Sequence, residues 1–427
     1  MHKTLYLKEY QSCIAPDEIL SDSGEILIFP EVLGKNYFSL RYKNSDLLLQ
    51  AGGFVGLIKL NHHLSIQVES KVNIKNFSRI LALSEGSPLV LKSVEATYQY
   101  LKENIKSIDE FLIGSFLYFL ENINVLGFFK EYISIKSKTH FPKGRIDFKG
   151  TISSVNNSLI SYTYQQKTID NEVNQIIKWV LIELLKDQNF NKITYNKNRV
   201  IKLLNSLSKV SDINFQKEYL NRKINEGFIG KLKHSFYSDL FGIIKIIINQ
   251  WGVDLLISGK TKAQSMIINI EDVFEKYLLK SLMLQNVSEN NLVILDGNKK
   301  GENGGAKPLF SKNDDEFLSQ EIVIATPDIV IRSMSEPKKQ VVVDVKYKLV
   351  DKICDRADLN QIVTYMSSYE ASAGVLLIPF HKDTKNKILC LGSISGYNVY
   401  QYSFDLNAEN LLKEEQELLK FFTKLCA

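Results

Sequence analysis

The chain has 427 residues, enough for two or three domains, and its 44% hydrophobic and 24% charged residues are those of an ordinary soluble globular protein. Lys plus Arg number 53 against 48 Asp plus Glu. That weak basic excess is compatible with nucleic acid but excludes a binder driven by a basic tail.

From the start to residue 93, short β-like runs dominate: Ile26–Phe29, Tyr37–Tyr42, Leu47–Leu49, Phe54–Leu60 and Leu64–Val68. Gly52-Gly53 and Asn61-His62 mark turns, and a helix over Ile74–Leu83 closes a small β-rich N-terminal domain. His62 and His63 have no third ligand nearby in sequence and read as turn residues rather than a metal pair.

Over residues 94–262 helices take over, with apolar periodicity in Ile108–Leu126, Val173–Leu185 and Phe236–Trp251. A strand pair, Tyr132–Lys136 and Arg145–Phe148, interrupts them around Pro142-Lys143-Gly144. Gly144-Arg145-Ile146-Asp147 reads as a hairpin with an exposed ion pair, a functional loop being the alternative. Gly259-Lys260-Thr261 matches the end of a phosphate-binding loop, but the glycine required five residues earlier is Asp254 here. No bound nucleotide is expected.

Residues 263–427 predict an α/β domain with a mixed sheet. Asn269–Met283 reads as a helix with a solvent stripe of Asp272, Lys276 and Lys280, and with Glu275 at the edge of the apolar face. Glu275 either reaches toward a site beside Asp328 or is an exposed glutamate, and its spacing leaves both open. Gly297–Glu316 predicts a mobile loop, a connector or a track for a DNA backbone.

Ile322–Ile331 is mostly apolar and β-branched, broken by Pro327, so Asp328 falls in or beside a buried strand, where a bare carboxylate is costly. After the turn-rich Ser333–Gln340, Val341–Lys348 alternates, projecting Asp344, Lys346 and Lys348 to one side. In the next helix Asp358 and Gln361 could form a capping pair; Leu359, Ile362, Val363 and Met366 make an apolar stripe, with Gln361 and Tyr365 side by side on its flank. Gly374–Pro379 and Ile388–Ile394 read as buried strands, Tyr397–Phe404 alternates, and Ala408–Leu425 is a closing helix.

Asp-x-Lys on one strand face is usually only a solvated surface. The ordered set carries the argument: acidic helix, Pro-Asp strand, Asp-x-Lys strand, Gln-x-x-x-Tyr helix. This set resembles the PD-(D/E)-x-K nuclease core. Phosphodiester hydrolysis needs a hard cation, and Mg²⁺ takes oxygen ligands. Asp328, Asp344 and Glu275 are the candidate ligands. Lys346 would stabilise the attacking hydroxide and developing charge, while Gln361, Tyr365 and Lys348 would contact DNA.

The chain further resembles the McrC-type nuclease subunits of McrBC and LlaJI-like restriction systems. The similarity is strongest at Phe274-Glu275, Val343–Lys348, Asp358–Tyr365 and Gly374–Pro379, with weaker echoes at Ala51–Leu83, Gly144–Asp147 and Asp170–Lys178. Where the family often shows Pro-Lys after Ile66, this chain has Val68-Glu69-Ser70-Lys71. The resemblance implies an endonuclease subunit of a modification-dependent restriction complex, acting on modified DNA, its N-terminal domain docking on a McrB-like AAA+ GTPase ring. A non-catalytic adaptor of a nucleotide hydrolase and a stand-alone repair or recombination nuclease are the alternatives.

Cys13, Cys354, Cys390 and Cys426 are scattered, which indicates neither a zinc knuckle nor a disulfide framework and fits a reducing cytoplasm. The start lacks an apolar signal segment. The greasiest stretch, Phe241–Ile248, is short and contains Lys245, so no membrane insertion is expected.

Overall fold

The fold is that of a computed structural model, which describes residues 3–84 (except 22, 31 and 45), 108–152, 159–186, 194–225, 235–250, 255–257, 261–263, 267–286, 290–310 (except 302 and 303), 322–381 (except 336, 349 and 351) and 386–427. Two compact units emerge: Met1–Phe111 with Met266–Ala427, and Leu112–Ser265.

In the first unit the chain begins with β1 (Lys3–Lys8), β2 (Ser12–Ile14), β3 (Phe38–Lys43), β4 (Asp46–Ala51), β5 (Phe54–Lys59), β6 (Leu64–Glu69) and helix α1 (Ile74–Ser84). Strands β2, β4 and β3 form one antiparallel sheet, while β1 runs parallel to β6 and β6 antiparallel to β5. Four of the six β6 residues, Leu64, Ser65, Ile66 and Val68, are buried, as expected of a strand covered on both faces. The predicted strand over Ile26–Phe29 does not form; Ile26 makes only an isolated bridge to Leu20. Sequence reading misses β1 instead, because Leu7 is its sole fully buried residue.

The second unit is entered through α2 (Ile108–Leu126), as predicted. It continues with β7 (Glu131–Thr139), β8 (Arg145–Ile146), α3 (Phe148–Ile152), β9 (Ile160–Thr168), α4 (Glu172–Lys186), α5 (Thr194–Ser206), α6 (Lys217–Asn225), α7 (Ser235–Gln250), β10 (Leu255–Ile257) and β11 (Thr261–Ala263). The expected strand pair is corrected here. Both β7 and β8 pair with β9, not with each other. Ile160, Tyr162 and Tyr164 alternate with Ser161 and Thr163 in β9, a strand signal that the sequence reading passed over. Asp147 accepts a hydrogen bond from Gly150 N (3.0 Å) and starts α3. Gly259 and Lys260 lie outside the described residues.

Back in the first unit, β12 (Ile267–Asn269) pairs antiparallel with β5, completing a sheet of order β1-β6-β5-β12, and leads directly into α8 (Ile270–Gln285). Asn269 caps α8 by accepting from Glu271 N and Asp272 N. There follow β13 (Leu292–Asp296), β14 (Lys307–Pro308), β15 (Ile324–Ala325), β16 (Ile329–Ser333), β17 (Gln340–Val345), α9 (Arg356–Tyr369), β18 (Ala373–Pro379), β19 (Ile388–Ile394), β20 (Tyr397–Phe404) and α10 (Leu411–Cys426). Six of these strands make one sheet of order β13-β16-β17-β18-β20-β19, parallel at β17-β18 and β18-β20 and antiparallel elsewhere. The chain is thus a mixed α/β protein with several sheets.

Two expectations for this sheet are corrected. Strand β17 ends at Val345 rather than Lys348, and Val341–Val345 are all buried instead of alternating, because the strand lies inside the sheet beneath α9. Strand β19 is exposed along most of its length because it is the sheet edge. The α9 stripe is as expected: Ile362 and Met366 are buried against Val342 and Leu376, with Leu359 and Val363 packed beside them. Its cap is Asp355, which accepts from Ala357 N and Asp358 N, so Asp358 does not cap. Buried Glu415 on α10 joins three helices, accepting from Arg79 Nε and Nη2 (3.0 and 2.9 Å), Tyr277 Oη (2.8 Å) and Gln285 Nε2 (3.0 Å). No described helix is long and apolar enough to cross a membrane.

Candidate active site

The register of β16 with β17 brings the two predicted aspartates together. Ile329 pairs with Val343, so one step outward Asp328 stands across from Asp344. The β-branched runs on either side bury both strands, and Pro327 ends the pairing just where Asp328 emerges, since proline offers no backbone donor. Val345 N donates to Asp328 Oδ2 (2.6 Å), fixing that carboxylate against the neighbouring strand. Asp344 is 1% exposed. Both groups lie where the parallel strand β17 ends, the edge at which α/β sheets commonly bind ligands.

Lys346 has left the strand, yet its backbone N still donates to Leu377 O (2.9 Å), so its side chain starts from a fixed point. Its Nζ lies 2.9 Å from Asp344 Oδ2. That contact is an ion pair to a carboxylate almost wholly removed from solvent. Burial works against the lysine's charge, but Asp344, Asp328 and Asp358 outweigh it and hold the ammonium above the ordinary lysine pKa.

Glu275 comes from the second turn of α8, half-buried beside the pair. Its carboxylate accepts from Asn298 Nδ2 (2.8 Å). Burial, then the charges of Asp272, Asp296 and Asp344, push its pKa up. Burial pushes Asp328 up to about 7, with the charges of Glu275 and Asp344 adding to it. Asp344 is also raised, by burial opposed by Lys346. These carboxylates repel one another in a poorly solvated place, which a nearby cation would relieve.

Among the described residues no group of three or more His, Cys, Asp and Glu side chains is gathered so as to hold a metal ion. A magnesium ion asks for less: one or two carboxylates, with water and substrate phosphate completing its octahedron. The buried Asp344, whose charge Lys346 only partly offsets, and the facing Asp328 fit that requirement, and the charge of Glu275 reaches Asp328 and helps raise its pKa.

The three residues expected to touch DNA are placed differently. Gln361 Nε2 donates to Tyr365 Oη (3.1 Å), so the two form a unit on the flank of α9. Lys348 Nζ is engaged by Asp355 Oδ2 (2.7 Å) and by Asp358 Oδ2, which clamp it to the start of α9. Sequence reading missed the support beneath Asp328. Gly297 N donates to Asp328 O (3.1 Å), and a Cβ on Gly297 would stand 1.6 Å from Pro327 O. Gly297 reads in the sequence as the start of a mobile loop, which does not foresee its position under the site. His62 packs edge-on against Phe29 (5.0 Å), in keeping with a turn residue.

The family model described as "McrBC 5-methylcytosine restriction system component" matches residues 49–379. A chain of the refined half-complex from the tetradecameric assembly of Thermococcus gammatolerans McrB AAA+ hexamers with bound McrC is similar in structure, with a TM-score of 0.62 at 15% identity over 98% of this chain and 100% of that one. A chain of the cryo-EM structure of the Thermococcus gammatolerans McrBC complex gives a TM-score of 0.47 at 15% identity over 66% of this chain and 88% of that one. No curated protein matches the chain.

Proposed function

The chain belongs to the family of McrBC restriction system components, and from that premise we propose that it is the Mg²⁺-dependent endonuclease subunit of a modification-dependent restriction complex. The observation that carries the proposal is the meeting of Asp328 and Asp344 at the end of β17, with Lys346 Nζ 2.9 Å from Asp344. On this reading residues 263–427 are a PD-(D/E)-x-K nuclease domain, and the mixed six-stranded sheet supports it. The partner on this reading is an AAA+ GTPase ring that recognises the modified DNA; the similar assembly holds McrB AAA+ hexamers with bound McrC.

A bound Mg²⁺ would neutralise the scissile phosphate and activate water. Asp328 and Asp344 would hold the ion, with Glu275 acting directly or through water. Lys346 orients the attacking oxygen and balances charge developing on phosphorus. Gln361 and Tyr365 offer paired polar groups to the DNA backbone. Lys348 can contact it through the donor that Asp355 and Asp358 leave free, or by exchanging one of them for a phosphate.

The test combines this chain with its AAA+ partner, GTP and modified DNA. Cleavage should need Mg²⁺, stop on chelation and return with added metal. Full cleavage in the presence of chelator would overturn the metal reading. Cleavage without partner or nucleotide would favour a stand-alone nuclease.

A further inference from the structure

We propose that the consecutive residues Glu9 and Tyr10 form a positioning bracket that locks the helix carrying Glu275 to the strand end carrying Lys346. The inference rests on the proposed nuclease reading and adds residues far away in sequence. Glu9 is fully buried (0% exposed) in the turn after β1. Its two carboxylate oxygens accept from Tyr347 Oη (2.7 Å) and Lys71 N (3.0 Å). Tyr347 is the residue next to Lys346. Tyr10 Oη donates to Glu271 Oε1 (2.8 Å) and lies 3.3 Å from Tyr347 O. Glu271 is one turn before Glu275, on the same side of α8. Two adjacent residues of the N-terminal region thus hold the residue next to Lys346 and the residue one helical turn before Glu275.

Three further features suit a bracket better than incidental packing. Tyr10 has φ 58°, a left-handed backbone that costs an ordinary residue energy and persists where surroundings impose it. Gly53 makes room for it: a Cβ there would stand 2.4 Å from Tyr10 Oη and 3.1 Å from Glu271 Oε1. Gly53 O also accepts from Ile270 N (3.0 Å), tying the same turn to the first residue of α8. The ring of Tyr347 packs on Phe274 (centroids 5.4 Å) and near Tyr10 (6.4 Å), so its lateral position is set from both sides. A buried carboxylate is a costly anchor, and an apolar contact would join the elements with less directional control.

Tyr10→Phe and Tyr347→Phe keep the rings and remove only the hydroxyls. In the assembled complex each should lower kcat for DNA cleavage by about tenfold or more, leaving KM for DNA and nucleotide hydrolysis by the partner unchanged. The double variant should lose little beyond the worse single one, since both act through one bracket. Unchanged kcat in both variants, or a loss that follows the melting temperature and vanishes on cooling, would overturn the proposal. Hydrogen exchange on the isolated chain supplies a readout independent of cleavage. Gly53→Ala and Tyr10→Phe should raise exchange at both residues 271–275 and 345–348, and a rise confined to residues 3–10 would refute the bracket. If Asp344→Ala still cuts DNA, the nuclease reading fails, and the exchange data alone then decide whether the two elements are coupled.

Discussion

At the scale of single residues, Asp328 makes the sharpest forecast. A carboxyl with a folded pKa of about 7 keeps its proton over a range where the unfolded chain, near 3.9, has lost it. Its contribution is therefore neutral below the unfolded value and increasingly destabilising as pH rises toward 7. Asp344 and Glu275 shift in the same direction. Metal-free protein should lose on the order of 2–3 kcal/mol of stability between pH 5 and pH 7 through Asp328, and Mg²⁺ should restore part of it. Denaturant titrations at the two pH values check this. An equal pH slope in Asp328→Asn would contradict it. Asp328, Asp344 and Lys346 stood out in the sequence through the ordered set of acidic helix, Pro-Asp strand, Asp-x-Lys strand and Gln-x-x-x-Tyr helix, not through any one motif. Glu9 did not, since its partner Tyr347 is 338 residues away and no local pattern encodes that contact.

At the scale of elements, sequence periodicity located most strands and helices of the last domain but misjudged how β17 and β19 are covered. Alternation is informative for a strand with one wet face; β17 has none, while β19 is an edge whose apolar composition misleads. The cap of α9 fell to Asp355 because two acidic residues compete there, and sequence alone does not decide which leads. Gly297 shows how a turn supports the site. Gly297→Ala must displace Pro327 and with it the backbone of Asp328, so cleavage should fall on the order of a hundredfold, with about 1–3 kcal/mol of stability lost. Wild-type cleavage by that variant, measured at matched folded concentration, would show that the turn does not position Asp328. The node at Glu415 belongs to folding instead. Glu415→Ala removes the acceptor shared by Arg79 on α1 and Tyr277 and Gln285 on α8, and chemical denaturation should register a loss of about 3–5 kcal/mol.

At the scale of the whole molecule, the β-rich start and the α/β end belong to one compact unit, joined where β12 closes the first sheet and runs into α8. A continuous strand-to-helix passage of this kind gives the N-terminal sheet direct mechanical hold on Glu275. Composition could not reveal it, because residues 267–269 read only as the approach to a helix. On the proposed reading Asp328, Asp344 and Lys346 act on one phosphate. The most direct measurement is the single-turnover rate of DNA cleavage by the reconstituted complex carrying Asp344→Ala, with the partner's nucleotide hydrolysis as internal control. Cleavage should be lost while nucleotide hydrolysis continues at the wild-type rate; cleavage at the wild-type rate would rule out the shared phosphate and leave the chain an adaptor.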